Sequence, residues 1–379
     1  MTPFPTRIAT ATAALLGSLL IAGCGGGASA DTTPRAGIAA VKVFGDSLQD
    51  SGTFGYKFTV QGGDGLVYPE RIAANYGLTL CPRYAATGAT SFAANPAAGC
   101  TNHAIGGGRI THTGVPAGNP LNIGAQMAAA DGFGAADLVI IDGGGNDAAD
   151  LVGAYLAIPG DGATTYRALL GTLLAPAQIG SGLAGGAAGT AALGGDYMKA
   201  LADKFYADIK AGVLDRGATH VVVMNIPDIS FTPRFQQVLD GIAAAGGAAA
   251  RAAAQATFQG WMTAYNTQLA ARVGGDERVV LVDFYQAFQD QVAAPAQFGL
   301  SNVKTPACPA TGIGGDGLPS YTFTSCTAAA LSASIPAGAA GGADWWKTYA
   351  FADGFHPTPY GHQLTQQLIA KALATKGWL

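Results

Sequence analysis

The chain has 379 residues; 49% are hydrophobic, 12% are charged, 56 are glycine, and the formal net charge is −4. So apolar a composition excludes a mainly disordered chain, and the absence of any basic run excludes a polyanion binder, so no nucleic-acid partner is expected. Beyond the first 23 residues no predominantly apolar run reaches the roughly 20 residues needed to span a bilayer, which excludes a polytopic helical membrane protein.

Residues 1–23 carry one charged side chain, Arg7, followed by an apolar stretch from Ile8 to Ala22, the length of a secretory signal peptide. The stretch closes as Leu20-Ile21-Ala22-Gly23-Cys24, which resembles the lipobox of bacterial lipoproteins. The resemblance implies cleavage after residue 23, a lipid on Cys24 and anchoring in the cell envelope. Gly25 at the next position points to the outer membrane rather than the inner one; a secreted protein is the alternative. Residues 24–38 read as a flexible Gly/Ala/Thr tether, and residues 39–379 as one domain.

Within that domain strand-like and helix-like segments alternate. The runs at 40–44 (AVKVF), 137–142 (DLVIID), 219–226 (THVVVMNI) and 278–284 (RVVLVDF) are nearly continuous in Val, Ile and Leu, as expected of strands buried on both faces. Helices are expected over 197–216, 248–273 and 359–376. The alternation predicts an α/β fold, a three-layer α/β/α sandwich around a central, mostly parallel sheet. Sites in such folds gather at the carboxyl ends of the strands. An Ala/Gly-rich stretch around 150–195, densest at 160–195, interrupts the alternation and reads as a tolerated surface insertion or as a lid.

Cys81, Cys100, Cys308 and Cys326 form two local couples. In an oxidising compartment each couple would close a surface loop, worth roughly 3 kcal/mol in the chain-entropy model. Four cysteines allow three connectivities, and all three stay open at this point. No CxxC or HxxxH spacing accompanies them, so a zinc site is not expected.

Four polar segments stand out. Gly45-Asp46-Ser47-Leu48 follows the first strand, and a helix is expected to start just after Ser47. Asn102-His103-Ala104-Ile105-Gly106-Gly107-Gly108 is a glycine-rich turn. Gly143-Gly144-Gly145-Asn146-Asp147 follows the second strand, and Asp353-Gly354-Phe355-His356 lies near the C-terminus. One serine after a strand is ordinarily a helix cap. Four such blocks in this order, spanning most of the chain, resemble the GDSL or SGNH hydrolase family.

The resemblance implies a flavodoxin-like fold and a serine esterase. It implies Ser47 as nucleophile, His356 as base and Asp353 as its partner. It also implies an oxyanion hole from the N–H groups of Ser47 and Gly107, or Gly106 or Gly108 if the turn is shifted, and the side chain of Asn146. Gln49 stands where the family frequently has Ser, and Gly108 where Ala is frequent. Asn225-Ile226-Pro227-Asp228 resembles a strand-end loop of the secreted lipase and phospholipase subgroup. No metal or organic cofactor is expected. The expected partner is an acyl ester of a lipid or small alcohol, acted on by a monomer. The alternatives are a carbohydrate O-acetylesterase, an acyltransferase and a non-catalytic surface lipoprotein.

Two expectations come from the residues alone. Asp46 and Asp50 should brace the nucleophile turn, and His103, His112, His220 and His362, which lack the DxxH spacing, should be structural or surface residues.

Overall fold

The structure, a computed structural model, describes residues 37–379; Cys24 and the segment 1–23 lie outside the described residues. The four apolar runs form strands β1 (Ala40–Phe44), β2 (Asp137–Ile141), β3 (His220–Met224) and β4 (Val279–Val282). They make one all-parallel sheet in the order β1-β2-β3-β4. Continuous β-branched runs leave no polar face for solvent, so both faces must be covered. Successive side chains go to opposite cores. Val139, Ile141, Val221 and Val223 enter one; Leu138, Ile140, Val222 and Met224 enter the other.

The first core is closed by helices α2 (Ile123–Ala128), α3 (Gly145–Leu156), α4 (Gly186–Gly212) and α5 (Pro233–Val273). The second is closed by α1 (Tyr68–Asn75), α6 (Phe284–Ala293) and α7 (Pro359–Lys376). This is the α/β/α sandwich expected from the sequence. The last two helices start at side-chain caps. Asp283 accepts from Gln286 N, and Thr358 from Gly361 N with Pro359 at the first helical position.

Two element readings differ from the sequence analysis. The helix expected from 197 begins at Gly186 and ends at Gly212, with a separate 3₁₀ turn at Leu214–Arg216. Its glycine-rich first turns give no apolar period. Gly194 lets α4 approach the Trp261 ring of α5, where a β-carbon would lie 2.3 Å away. The helix expected over 248–273 is present with those bounds, because Gly247 (φ 82°) breaks it from a preceding helical segment that starts at Pro233. No helix starts after Ser47. Residues 47–49 form a turn, held by Gln49 N and Asp50 N donating to Asp46 O. The segment 160–195 is largely helical and buries Tyr166, Leu170, Ile179 and Leu193 in the first core.

The cysteines pair locally, Cys81 with Cys100 and Cys308 with Cys326, at sequence separations of 19 and 18. Of the three connectivities, this is the local one. Trp345 and Trp346 are buried in a third, smaller core beside the second disulfide. No helix among the described residues is long and apolar enough to cross a membrane.

Candidate active site

The four polar segments meet at the carboxyl end of the sheet. Ser47, 4% exposed, sits on the tight turn after β1. Gln126 of α2 clamps that strand end: its Oε1 accepts from Gly45 N at 2.8 Å and its Nε2 donates to Gly45 O at 2.9 Å. Ser47 Oγ and His356 Nε2 are 2.8 Å apart. The histidine comes from a loop whose backbone reverses at Asp353. One Asp353 oxygen, Oδ1, accepts from Phe355 N and His356 N, which is the local bond pattern that Asp favours in turns. The same carboxylate lies 2.9–3.0 Å from His356 Nδ1. Burial pushes the Asp353 carboxyl up, but the His356 charge and these hydrogen bonds outweigh it and hold it below the usual range. The His356 ring is walled by Phe58 at 5.1 Å and Phe323 at 5.5 Å, centroid to centroid.

The backbone donors are arranged unevenly. The N–H groups of Asp46, Leu48, Gly106 and Gly108 all have acceptors. Among the described residues those of Ser47 and Gly107 have none. Two unpaired N–H groups at one site are poised for an incoming acceptor. Gly107 has φ 81°, open to glycine at little cost. A β-carbon on Gly108 would sit 2.7 Å from Gly45 O, so the alanine frequent in the family does not fit here. Asn146, in the first turn of α3, donates from Nδ2 to Gly108 O at 3.0 Å and to Asp46 Oδ2 at 3.3 Å. To serve an oxyanion it must release the longer of these bonds.

Buried polar side chains tie the blocks together. Asp50 accepts from Gly52 N, Thr53 N and Gly106 N. Asp46 accepts from Leu48 N and Asn146. Both therefore brace the turn, as expected. Burial raises the carboxyls of both, against those hydrogen bonds. Asp142 lies close by, held well above the carboxylate range by burial and by the Asp46 charge.

Five contributors were not found in the sequence. Gln126 is one. Arg109 is another: it grips Asp150 of α3 with two N–H groups and donates Nη1 to Gly107 O at 2.6 Å. Phe58 and Phe323 are contributors only through packing on His356. Asp147 accepts from Ile110 N and Thr111 N, fastening the glycine-rich turn to α3. A glutamine on an otherwise apolar short helix was the one legible signal among these.

Burial pushes the Asp147 carboxyl up to about 7, against the bonds from Thr111 and Ile110. The unfolded chain releases this proton near 3.8. Between the two values the folded state holds more protons, so stability falls as pH rises through that window and levels off above it. About three units correspond to at most about 4 kcal/mol. Urea unfolding of wild type and Asp147→Asn from about pH 4 to about pH 8 checks this. The variant should lose that share of the slope; equal slopes would mean Asp147 is already ionised in the fold at low pH.

The other histidines stand apart from Ser47. His103 stacks on Phe44, and burial lowers it to about 4. His362 is fully buried and lowered to about 3, again by burial. His112 accepts from Gly114 N, and His220 pairs with Thr219 Oγ1 and abuts Trp378. Among the described residues no cluster of His, Cys, Asp or Glu is placed to hold a metal ion.

A family model described as GDSL-like Lipase/Acylhydrolase matches residues 41–369. No curated protein gives a significant match.

Proposed function

The chain belongs to the GDSL-like lipase/acylhydrolase family and is a hydrolase of esterase or lipase type; from that premise we propose that it is a serine esterase of carboxylic esters working through Ser47, His356 and Asp353. The observation that carries this reading is the 2.8 Å approach of Ser47 Oγ to His356 Nε2, with Asp353 on the other ring nitrogen. His356 takes the serine proton as Oγ attacks the ester carbonyl. The unpaired N–H groups of Ser47 and Gly107, with Asn146, receive the oxyanion. His356 returns the proton to the departing alcohol, leaving an acyl-serine. Water, deprotonated by the same imidazole, then releases the acid. Asp353 holds the tautomer and steadies the imidazolium.

The test is turnover of p-nitrophenyl esters and labelling by a fluorophosphonate probe. Both should depend on Ser47. Labelling that survives in Ser47→Ala would defeat the assignment, and absence of both in the intact protein would favour a binding protein.

We also propose that the mature chain begins at Cys24 and is lipid-anchored in the cell envelope. Its support is the LIAGC sequence at residues 20–24. Labelled palmitate should enter the wild type and not Cys24→Ala; equal labelling of both would rule it out.

A further inference from the structure

Two cavities flank the Ser47–His356 pair, and they differ in size and chemistry. The larger, about 720 Å³, lies on the histidine side. Its lining is mixed: Arg109, Asp150 and Tyr321 stand with His356 among apolar side chains such as Leu156 and Val238. Arg234 and Asp316 form an ion pair there. The smaller, about 60 Å³, lies on the serine side and includes Ser47 itself. Its walls are largely apolar: Pro227, Ile229, Phe284, Phe288, Phe351 and Phe355. Phe355 borders both cavities.

The chemistry of acyl transfer orients a substrate between them. The imidazole must protonate the departing alcohol, so the alcohol half belongs on the side of His356. The acyl carbon bonds to Ser47 Oγ, so its chain belongs on the serine side. At about 60 Å³ the pocket is roughly twelvefold smaller than the cleft opposite, room for a short chain and not for a fatty acyl tail. The far walls are closed by rings packed in the second core. Phe284 and Phe288 are 6% and 7% exposed, and Phe288 meets Phe351 edge to face at 5.9 Å. Lengthening the pocket would mean displacing close-packed aromatics, which costs kcal/mol rather than tenths.

We propose that this pocket is the acyl subsite, and that Phe284 and Phe288 limit the enzyme to short acyl chains, with a larger alcohol seated in the cleft opposite. This rests on the serine-esterase reading and narrows it. The long chains of membrane phospholipids do not fit the pocket.

The experiment is kcat/KM for p-nitrophenyl esters from acetate to palmitate, on the wild type, Phe288→Leu and Ala350→Val. Ala350 also lines the pocket. The wild type should peak at butyrate or hexanoate and fall at least about tenfold by decanoate, the cost of a chain that no longer fits. Phe288→Leu should raise the decanoate-to-acetate ratio about tenfold or more, and Ala350→Val should lower the butyrate-to-acetate ratio. A thermal melt of each variant separates a reshaped pocket from a damaged fold, and opposite shifts in two variants cannot come from misfolding alone. Decanoate and palmitate turned over as fast as butyrate by wild type would overturn the inference, as would ratios unmoved in both folded variants. Loss of Ser47-dependent turnover on every ester would instead bring down the underlying esterase reading.

Discussion

Ser47→Ala is expected to lower kcat for ester hydrolysis by about 10⁴–10⁶-fold, with His356→Ala close behind and the double variant no worse than the poorer single one. The reason is that the two side chains act as one device. The hydroxyl is a weak nucleophile until the imidazole 2.8 Å away accepts its proton. Once either partner is gone, the other has nothing to work on. The rate that remains comes from binding and from oxyanion stabilisation, which neither substitution removes. Among the described residues the Ser47 side chain bonds only to His356, so Ser47→Ala should melt with the wild type. Single-turnover kinetics on p-nitrophenyl esters give the measurement. Additive losses in the double variant would mean that the serine and histidine act independently, and the proposed proton transfer between them would be wrong.

Asn146→Ala is expected to reduce kcat by about 10²–10³-fold while KM changes little. In the resting enzyme the amide is committed to Gly108 O and the Asp46 carboxylate. Its bond to an oxyanion forms only as charge develops, so its loss falls on the transition state and not on substrate binding. Asn146→Asp should be worse still. It would set a second carboxylate against Asp46 and against the developing oxyanion. A purely structural Asn146 would behave differently: the variant would lose melting temperature, and kcat and KM would move together. The ratio of kcat loss to KM change therefore decides between the two roles.

Much of this site was legible in the sequence because its chemistry is written in short local patterns. The DxxH spacing works within one turn, since Asp353 both shapes the loop and meets the ring three residues on. The strands were legible because unbroken Val/Ile runs have few other places to go. The Ala/Gly-rich stretch at 160–195 was not, since alanine and glycine give no hydrophobic period. Its helical packing rests on scattered anchors such as Tyr166 and Leu193. Glycine at 194 reads as a helix breaker by propensity, yet here it is what admits the Trp261 ring.

The sequence by itself determined the sheet and the four blocks that carry the polar residues, because those signals reside in neighbours along the chain. Only the tertiary structure decided how the blocks are held. Gln126 clamps Gly45 across 81 residues, Asp50 grips Gly106 across 56, and Ser47 meets His356 across 309. It alone decided that a small aromatic-walled pocket adjoins the serine and a larger cleft of mixed polarity the histidine. Shape of that kind is made by side chains distant in sequence converging at the sheet's carboxyl edge, and no local pattern encodes the distance between them.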